Sequence, residues 1–118
     1  MTRSDTAAFF DRYQAALLAR DAVRISEMYA VPGLILFPET SVAVTDRSQT
    51  EQFFRASFGQ YDGVTEVDHH LTIIAEALHS VWVDVTWSYG GSPRERFCYQ
   101  LVGAGDPQIA VLTPIDLD

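Results

Sequence analysis

The spacing of apolar residues changes once along this chain, from about 3.6 residues to 2. In the first half Phe9, Phe10, Tyr13, Ala16 and Leu17 recur at three- and four-residue intervals, the stripe of an amphipathic helix. Ser4 or Asp5 is placed to cap it, and the pattern runs through Arg20. Asp21 caps a second, shorter helix bearing Ala22, Ile25, Met28 and Tyr29, which Pro32-Gly33 ends. "LILF" (34–37) reads as a strand stopped by Pro38, and "SVAVT" (41–45) completes a hairpin. Ser48 and Glu51 have capping-box spacing. The helix they open carries Phe53, Phe54, Ser57, Phe58 and Tyr61 on one face, and Gly59 or Gly63 closes it.

Beyond residue 64 the alternation is that of strands, predicted at 65–77, 80–89, 94–102 and 108–117. "GGSP" (90–93) and "GAGDP" (103–107) supply turns between them. The order is α-α-β-β-α-β-β-β-β. Three amphipathic helices then cover one apolar face of a mainly antiparallel sheet, an α+β layout in a single domain, 1–118.

Composition narrows the function classes. The chain has 118 residues, a net charge of −8, no lysine and eight scattered arginines. Clustered positive charge is what nucleic acids and anionic membranes require, so neither is an expected partner. Asparagine is absent as well; both missing residues have A-rich codons, which points to a GC-rich gene. The lone Cys98 excludes an intramolecular disulfide and fits a reducing compartment. "MTRSDTAAFF" has no apolar core of a leader, and no apolar run reaches the roughly 18–20 residues of a membrane span. These features read as a cytoplasmic chain.

The element order and four local stretches resemble the NTF2-like superfamily, the cone fold of SnoaL-like cyclases and ketosteroid isomerase. "RYQAALLARD" (12–21) with "ISEMYA" (25–30) is similar to the first two helices of that fold and their tight turn. "TEQFFRASF" (50–58) is similar to its third helix, and "VDVTWSYGG" (83–91) to its long pocket-forming strand. The resemblance implies a strongly curved sheet wrapped around an apolar pocket, with homodimerisation through the outer sheet face. It implies no single activity, because the fold hosts isomerases, dehydratases, cyclases and non-enzymatic modules alike.

Ketosteroid isomerase chemistry needs a tyrosine on the first helix, a carboxylate base and a second acid. Tyr13 matches the first. The base position falls on or beside Phe37 and the second acid near Phe97, so both carboxylates are missing and that chemistry is not expected. Tyr13 is either a hydrogen-bond donor to a ligand or a core aromatic whose hydroxyl is satisfied by a neighbour.

"VDHHLTII" (67–74) is the other candidate for chemistry. On a regular strand His69 shares a face with Val67, Leu71 and Ile73, pointing inward. His70 falls outward with Asp68, Thr72 and Glu76. The pair is split, so it cannot chelate one metal, and no other metal or standard catalytic motif is present. His69 is the acid/base candidate, with a hydrogen-bonded core histidine as the alternative. In "SVWVDVTWSYG" (80–90), Val81, Val83, Val85, Trp87 and Tyr89 face inward. Trp82 and Asp84 face outward, where Asp84 can pair with Arg94 or Arg96 and Trp82 suits a dimer face. A reversed register would instead put Asp84 in the pocket.

The sequence therefore predicts a pocket lined by Tyr13, Phe37, Phe54, His69, Trp87, Tyr89 and Phe97. It would take a small apolar or aromatic molecule without cofactor or metal, with His69 and Tyr13 as the groups for proton transfer. The competing reading is a non-catalytic dimerisation or ligand-sensing module.

Overall fold

A computed structural model describes residues 1–103 and 105–117. The elements in chain order are α1 (Arg3–Leu18), α2 (Ala22–Glu27), β1 (Tyr29–Ile35), β2 (Val42–Val44), α3 (Arg47–Ser57), a 3-10 turn (Phe58–Tyr61), β3 (Val67–Ala77), β4 (Ser80–Tyr89), β5 (Ser92–Val102) and β6 (Gln108–Pro114). One six-stranded sheet has the order β2-β1-β6-β5-β4-β3. Only the β1–β6 pair is parallel. The α+β architecture is as the residue pattern predicts: helices on a curved, mainly antiparallel sheet.

The helix ends depart from the expected caps. Thr2, not Ser4 or Asp5, caps α1, with Asp5 completing a capping box from the third helical position. The helix stops at Leu18, and Arg20 takes a left-handed φ of 53° in the turn to α2. Asp46 and Gln49, not Ser48 and Glu51, frame the box of α3. Gln49 Oε1 accepts from the amides of both Thr45 and Asp46, so the earlier box satisfies more orphan donors. Pro32-Gly33 does not end α2, which stops at Glu27. Both residues lie inside β1, where the ladder to β6 skips from Tyr29 to Leu34. Gly33 is demanded there. A Cβ would meet the Ala30 carbonyl oxygen at 2.7 Å and the Ala110 carbonyl oxygen at 3.1 Å.

The four later strands follow the alternation closely. The β4–β5 hairpin turns on Gly90 and Gly91, with φ of 62° and 86°, the geometry of a two-residue loop that matches strand twist. The β5–β6 turn expected at 103–107 includes Ala104, which lies outside the described residues. Irregularities interrupt the ladders at Ile73/Ala75, Trp87/Ser88 and Gln100/Leu101; such bulges bend a sheet and increase its twist. The first of these corrects one assignment. Ala75 pairs with Trp82 and Glu76 with the buried Val81, so Glu76 leaves the outer row expected for it.

The core lies between α1 and the inner face of β4 and β5. Phe9, Phe10 and Tyr13 pack on Trp87, Tyr99, Val83 and Val85, all essentially buried. Several of the rings meet edge-on, as Phe10 and Tyr99 do at 5.1 Å and 62°, and Phe9 stacks on Tyr13 with centroids 6.2 Å apart, both arrangements that ring quadrupoles favour.

Candidate functional site

A cavity of about 380 Å³ opens between α3, its 3-10 extension and the sheet. Its walls follow from two periodicities. The helical face predicted for the third helix, Phe53, Phe54, Ser57, Phe58 and Tyr61, lines one side. Inward-facing strand residues line the other. Pro38, Glu39 and Thr40 stand exposed at the rim. Ten of the lining residues are aromatic, and three, Arg20, Glu39 and Glu95, are charged.

Of the residues picked out from the sequence, Tyr13, Phe37, Phe54, Trp87, Tyr89 and Phe97 line this cavity. Tyr13 and Trp87 are each 1% exposed and form part of its floor. Their polar atoms are already used. The Tyr13 and Tyr29 hydroxyls lie 2.6 Å apart, and Trp87 Nε1 donates to the Tyr99 hydroxyl at 2.9 Å. Burial, followed by the mutual influence of the two phenols, pushes the Tyr13 hydroxyl well above its ordinary pKa.

His69 faces inward but is not among the cavity-lining residues. Its ring lies between Phe10 and Trp87, with centroids at 6.2 and 5.2 Å. Nδ1 is hydrogen-bonded to Gln14 Oε1, and Nε2 lies 3.8 Å from the exposed Asp11 carboxylate. Burial holds its pKa below the usual histidine value against the opposing pull of Asp11. Trp87 stands between this ring and the cavity: His69, Trp87 and Glu95 form one cross-strand row on β3, β4 and β5.

The polar cluster of the cavity centres instead on Glu95, a residue absent from the sequence expectations. Tyr61 donates to Glu95 Oε1 at 2.7 Å and Tyr89 donates to the same oxygen at 2.6 Å. Both tyrosine hydroxyls are shifted far up, chiefly by burial; the charge of Glu95 adds to the rise in Tyr61, and Tyr61 followed by Glu95 adds to it in Tyr89. They remain protonated donors. Glu95 takes part in no ion pair among the described residues. A signal for it existed: alternation puts Glu95 on the same face as Phe97 and Tyr99. Phe37 and Phe97, at the two positions where ketosteroid isomerase carries carboxylates, line the cavity as aromatic residues, and Glu95 brings a carboxylate to it from a different position.

Arg20 is the one cation of the lining. Its guanidinium donates to the carbonyls of Tyr61 at 2.6 Å, Val64 at 3.2 Å and Leu18 at 3.0 Å. It thereby fastens the segment after α3, which carries Tyr61, to the end of α1.

On the outer face, Asp84 points away from the cavity, so the reversed register is not adopted. Arg96 grips it through two bonds of 3.0 and 2.6 Å, and these hold the Asp84 pKa below its usual value. Arg94 is exposed and is the extra residue of the bulge opposite Trp87/Ser88. Trp82 is half-buried, and His70 and His79 are exposed. No group of three or more metal-binding side chains occurs among the described residues, and no helix is long and apolar enough to cross a membrane.

Comparison with known families places this geometry. The family model described as "NTF2-like protein (DUF6841)" matches residues 4–98. The chain belongs to this NTF2-like family. No curated protein matches it. Among solved structures, a Xanthomonas campestris protein assigned as a calcium/calmodulin-dependent protein kinase II association domain superposes with a TM-score of 0.70 at 18% identity, covering 95% of this chain and 85% of that one. Aln2 from a Streptomyces species gives 0.69 at 15% identity, with 95% and 88% covered. A Novosphingobium aromaticivorans protein assigned as a scytalone dehydratase gives 0.67 at 10% identity, with 96% and 83% covered. At these identities the likeness establishes the NTF2-like fold and nothing about activity.

Proposed function

We propose that this NTF2-like domain is a small-molecule-binding protein whose cavity takes an apolar or aromatic molecule. The observation that carries the reading is an aromatic-walled space of about 380 Å³ with one convergent polar cluster, Tyr61 and Tyr89 on Glu95. Ligand sites combine mostly apolar walls with a few placed polar groups, in volumes of roughly 300–1,000 Å³. A second reading, proton-transfer chemistry of the isomerase, cyclase or dehydratase type, is favoured by Glu95 alone. A carboxylate in an apolar cavity is a general base by type, and it replaces His69 in that role.

Trp87 reports directly on the cavity. Substituting Trp82→Phe leaves it as the only tryptophan, since the chain has two. Titrating that variant with a panel of small aromatic and terpenoid molecules should change its emission saturably. A panel without effect on emission, and without protection against thermal unfolding, contradicts the binding reading. If turnover is found with any member, Glu95→Gln should abolish it while leaving binding.

We also propose that the outer sheet face pairs with a second copy of the chain. Strand register aligns Trp82, Gln100, Val111 and Leu34 in one row across β4, β5, β6 and β1. Leu34 is 42% exposed, and the bidentate Asp84–Arg96 pair borders the row. Buried apolar cores with polar rims are the anatomy of stable interfaces. Sedimentation should give a dimer for the native chain and a monomer for Trp82→Glu; a native monomer at micromolar concentration overturns the pairing.

A further inference from the structure

We propose that the cavity selects a cation: a positively charged nitrogen carried on an aromatic or apolar body. The inference rests on the reading of this cavity as a small-molecule site and adds the charge of its occupant.

Three features of the lining point the same way. First, aromatic residues are the largest group in the walls, and the faces of aromatic rings attract ammonium groups, most strongly when water is excluded. Second, Glu95 brings a negative charge to those walls without a cationic partner of its own among the described residues. Tyr61 and Tyr89 position it but do not neutralise it, and both converge on a single oxygen, Oε1. Third, Glu39 at the rim adds a second carboxylate, and the chain as a whole carries −8. That field raises the local concentration of cations and their rate of arrival.

The competing charge classes fare worse on the same residues. An anion entering the cavity finds the Tyr61 and Tyr89 hydrogens already given to Glu95. It also finds the Arg20 donors turned onto the carbonyls of Leu18, Tyr61 and Val64. A neutral hydrocarbon fits the walls but strips water from the Glu95 carboxylate with nothing in exchange, which costs free energy. An ammonium group alone supplies the missing counter-charge and uses the rings at the same time.

Calorimetric titration of the native chain with three probes that share a benzyl group decides the matter. These are benzyltrimethylammonium, its uncharged isostere neopentylbenzene, and the anion phenylacetate. The cation should bind about tenfold or more tighter than the isostere, on the scale of a desolvated cation–π contact plus a carboxylate. That preference should shrink as salt is added and fall in Glu95→Gln to the share the aromatic rings supply, the amide oxygen there still accepting from the two tyrosines. Equal binding of cation and isostere, or tightest binding of phenylacetate, overturns the charge selectivity and leaves the cavity reading intact. If no probe binds and Trp87 emission is also blind to the wider panel, the cavity reading falls and the charge inference with it. The native-chain comparison needs no variant, so a poorly folding Glu95→Gln does not blunt it.

Discussion

Trp87 divides the inner face of the sheet into two unlike ends. On one side, His69 lies under α1, wedged against Phe10 and tied to Gln14. On the other, Glu95 lines an open cavity beneath α3 and its 3-10 extension. The two residues belong to the same cross-strand row and both face inward. Strand alternation therefore decides which way a side chain points, but not whether it meets packed atoms or open space. That second property is set by which helix lies overhead. Here Phe9, Phe10 and Tyr13 of α1 are buried in the core, whereas Phe54 of α3 packs on Tyr29 of β1 and Phe53, Phe58 and Tyr61 beside it, only partly buried, border the cavity.

Removing the divider gives the largest expected effect. Trp87→Ala deletes a fully buried ring and leaves the Tyr99 hydroxyl without its indole donor. It should destabilise the chain by about 3–5 kcal/mol in urea denaturation. Tyr89→Phe, at the cavity end, removes one hydrogen bond to a half-buried carboxylate that Tyr61 still contacts. It should cost about 1 kcal/mol. Comparable losses for the two variants would mean that the cavity end is as tightly consolidated as the packed end, and the contrast would collapse.

The same contrast explains what was legible beforehand. The switch from a 3.6 to a 2 period located three helices and the four long strands, because each buries one continuous face and so writes its period into the sequence. The five residues predicted on one face of the third helix all reach the cavity for the same reason. The caps were less legible. "TDRSQTE" (45–51) holds two overlapping boxes, and the choice between Asp46/Gln49 and Ser48/Glu51 is made by which amides are left over once β2 ends at Val44. Pro32-Gly33 read as a stop because a ladder irregularity that admits a proline inside a strand leaves no local signature. Glu95 was hidden by its neighbours. In "SPRERF" (92–97) a charged residue flanked by two arginines looks like a solvated run, and only its parity with Phe97 and Tyr99 betrays the inward face. His69 shows the converse: its parity was right, and its exclusion from the cavity depends on α1, which strand alternation does not encode.

The smallest effect tests the packed end through its one titratable ring. Every group facing His69 bears on its charge. Gln14 and Asp11 reach it from α1, Asp68 and His70 flank it on β3, and Phe10 and Trp87 enclose it. Burial is the largest influence and lowers its pKa; Asp11 and Asp68 oppose this, and His70 adds to it. The neutral ring also suits the bond to Gln14, with Nδ1 donating and the amide oxygen accepting. Between the unfolded histidine value of about 6.5 and the lower folded value, the unfolded chain binds more protons than the folded one. The contribution of His69 to stability is therefore fully present above about pH 6.5 and is lost as pH falls through the folded pKa. Urea denaturation of the native chain and of His69→Gln from pH 8 to pH 5 isolates it, because most other titrations cancel in the difference. The native chain should lose more stability than the variant on acidification. If the difference between them does not change with pH, His69 ionises in the folded chain as it does in the unfolded one. The ring is then not sheltered from water by its packing under α1, and the contrast between the two ends fails on the packed side.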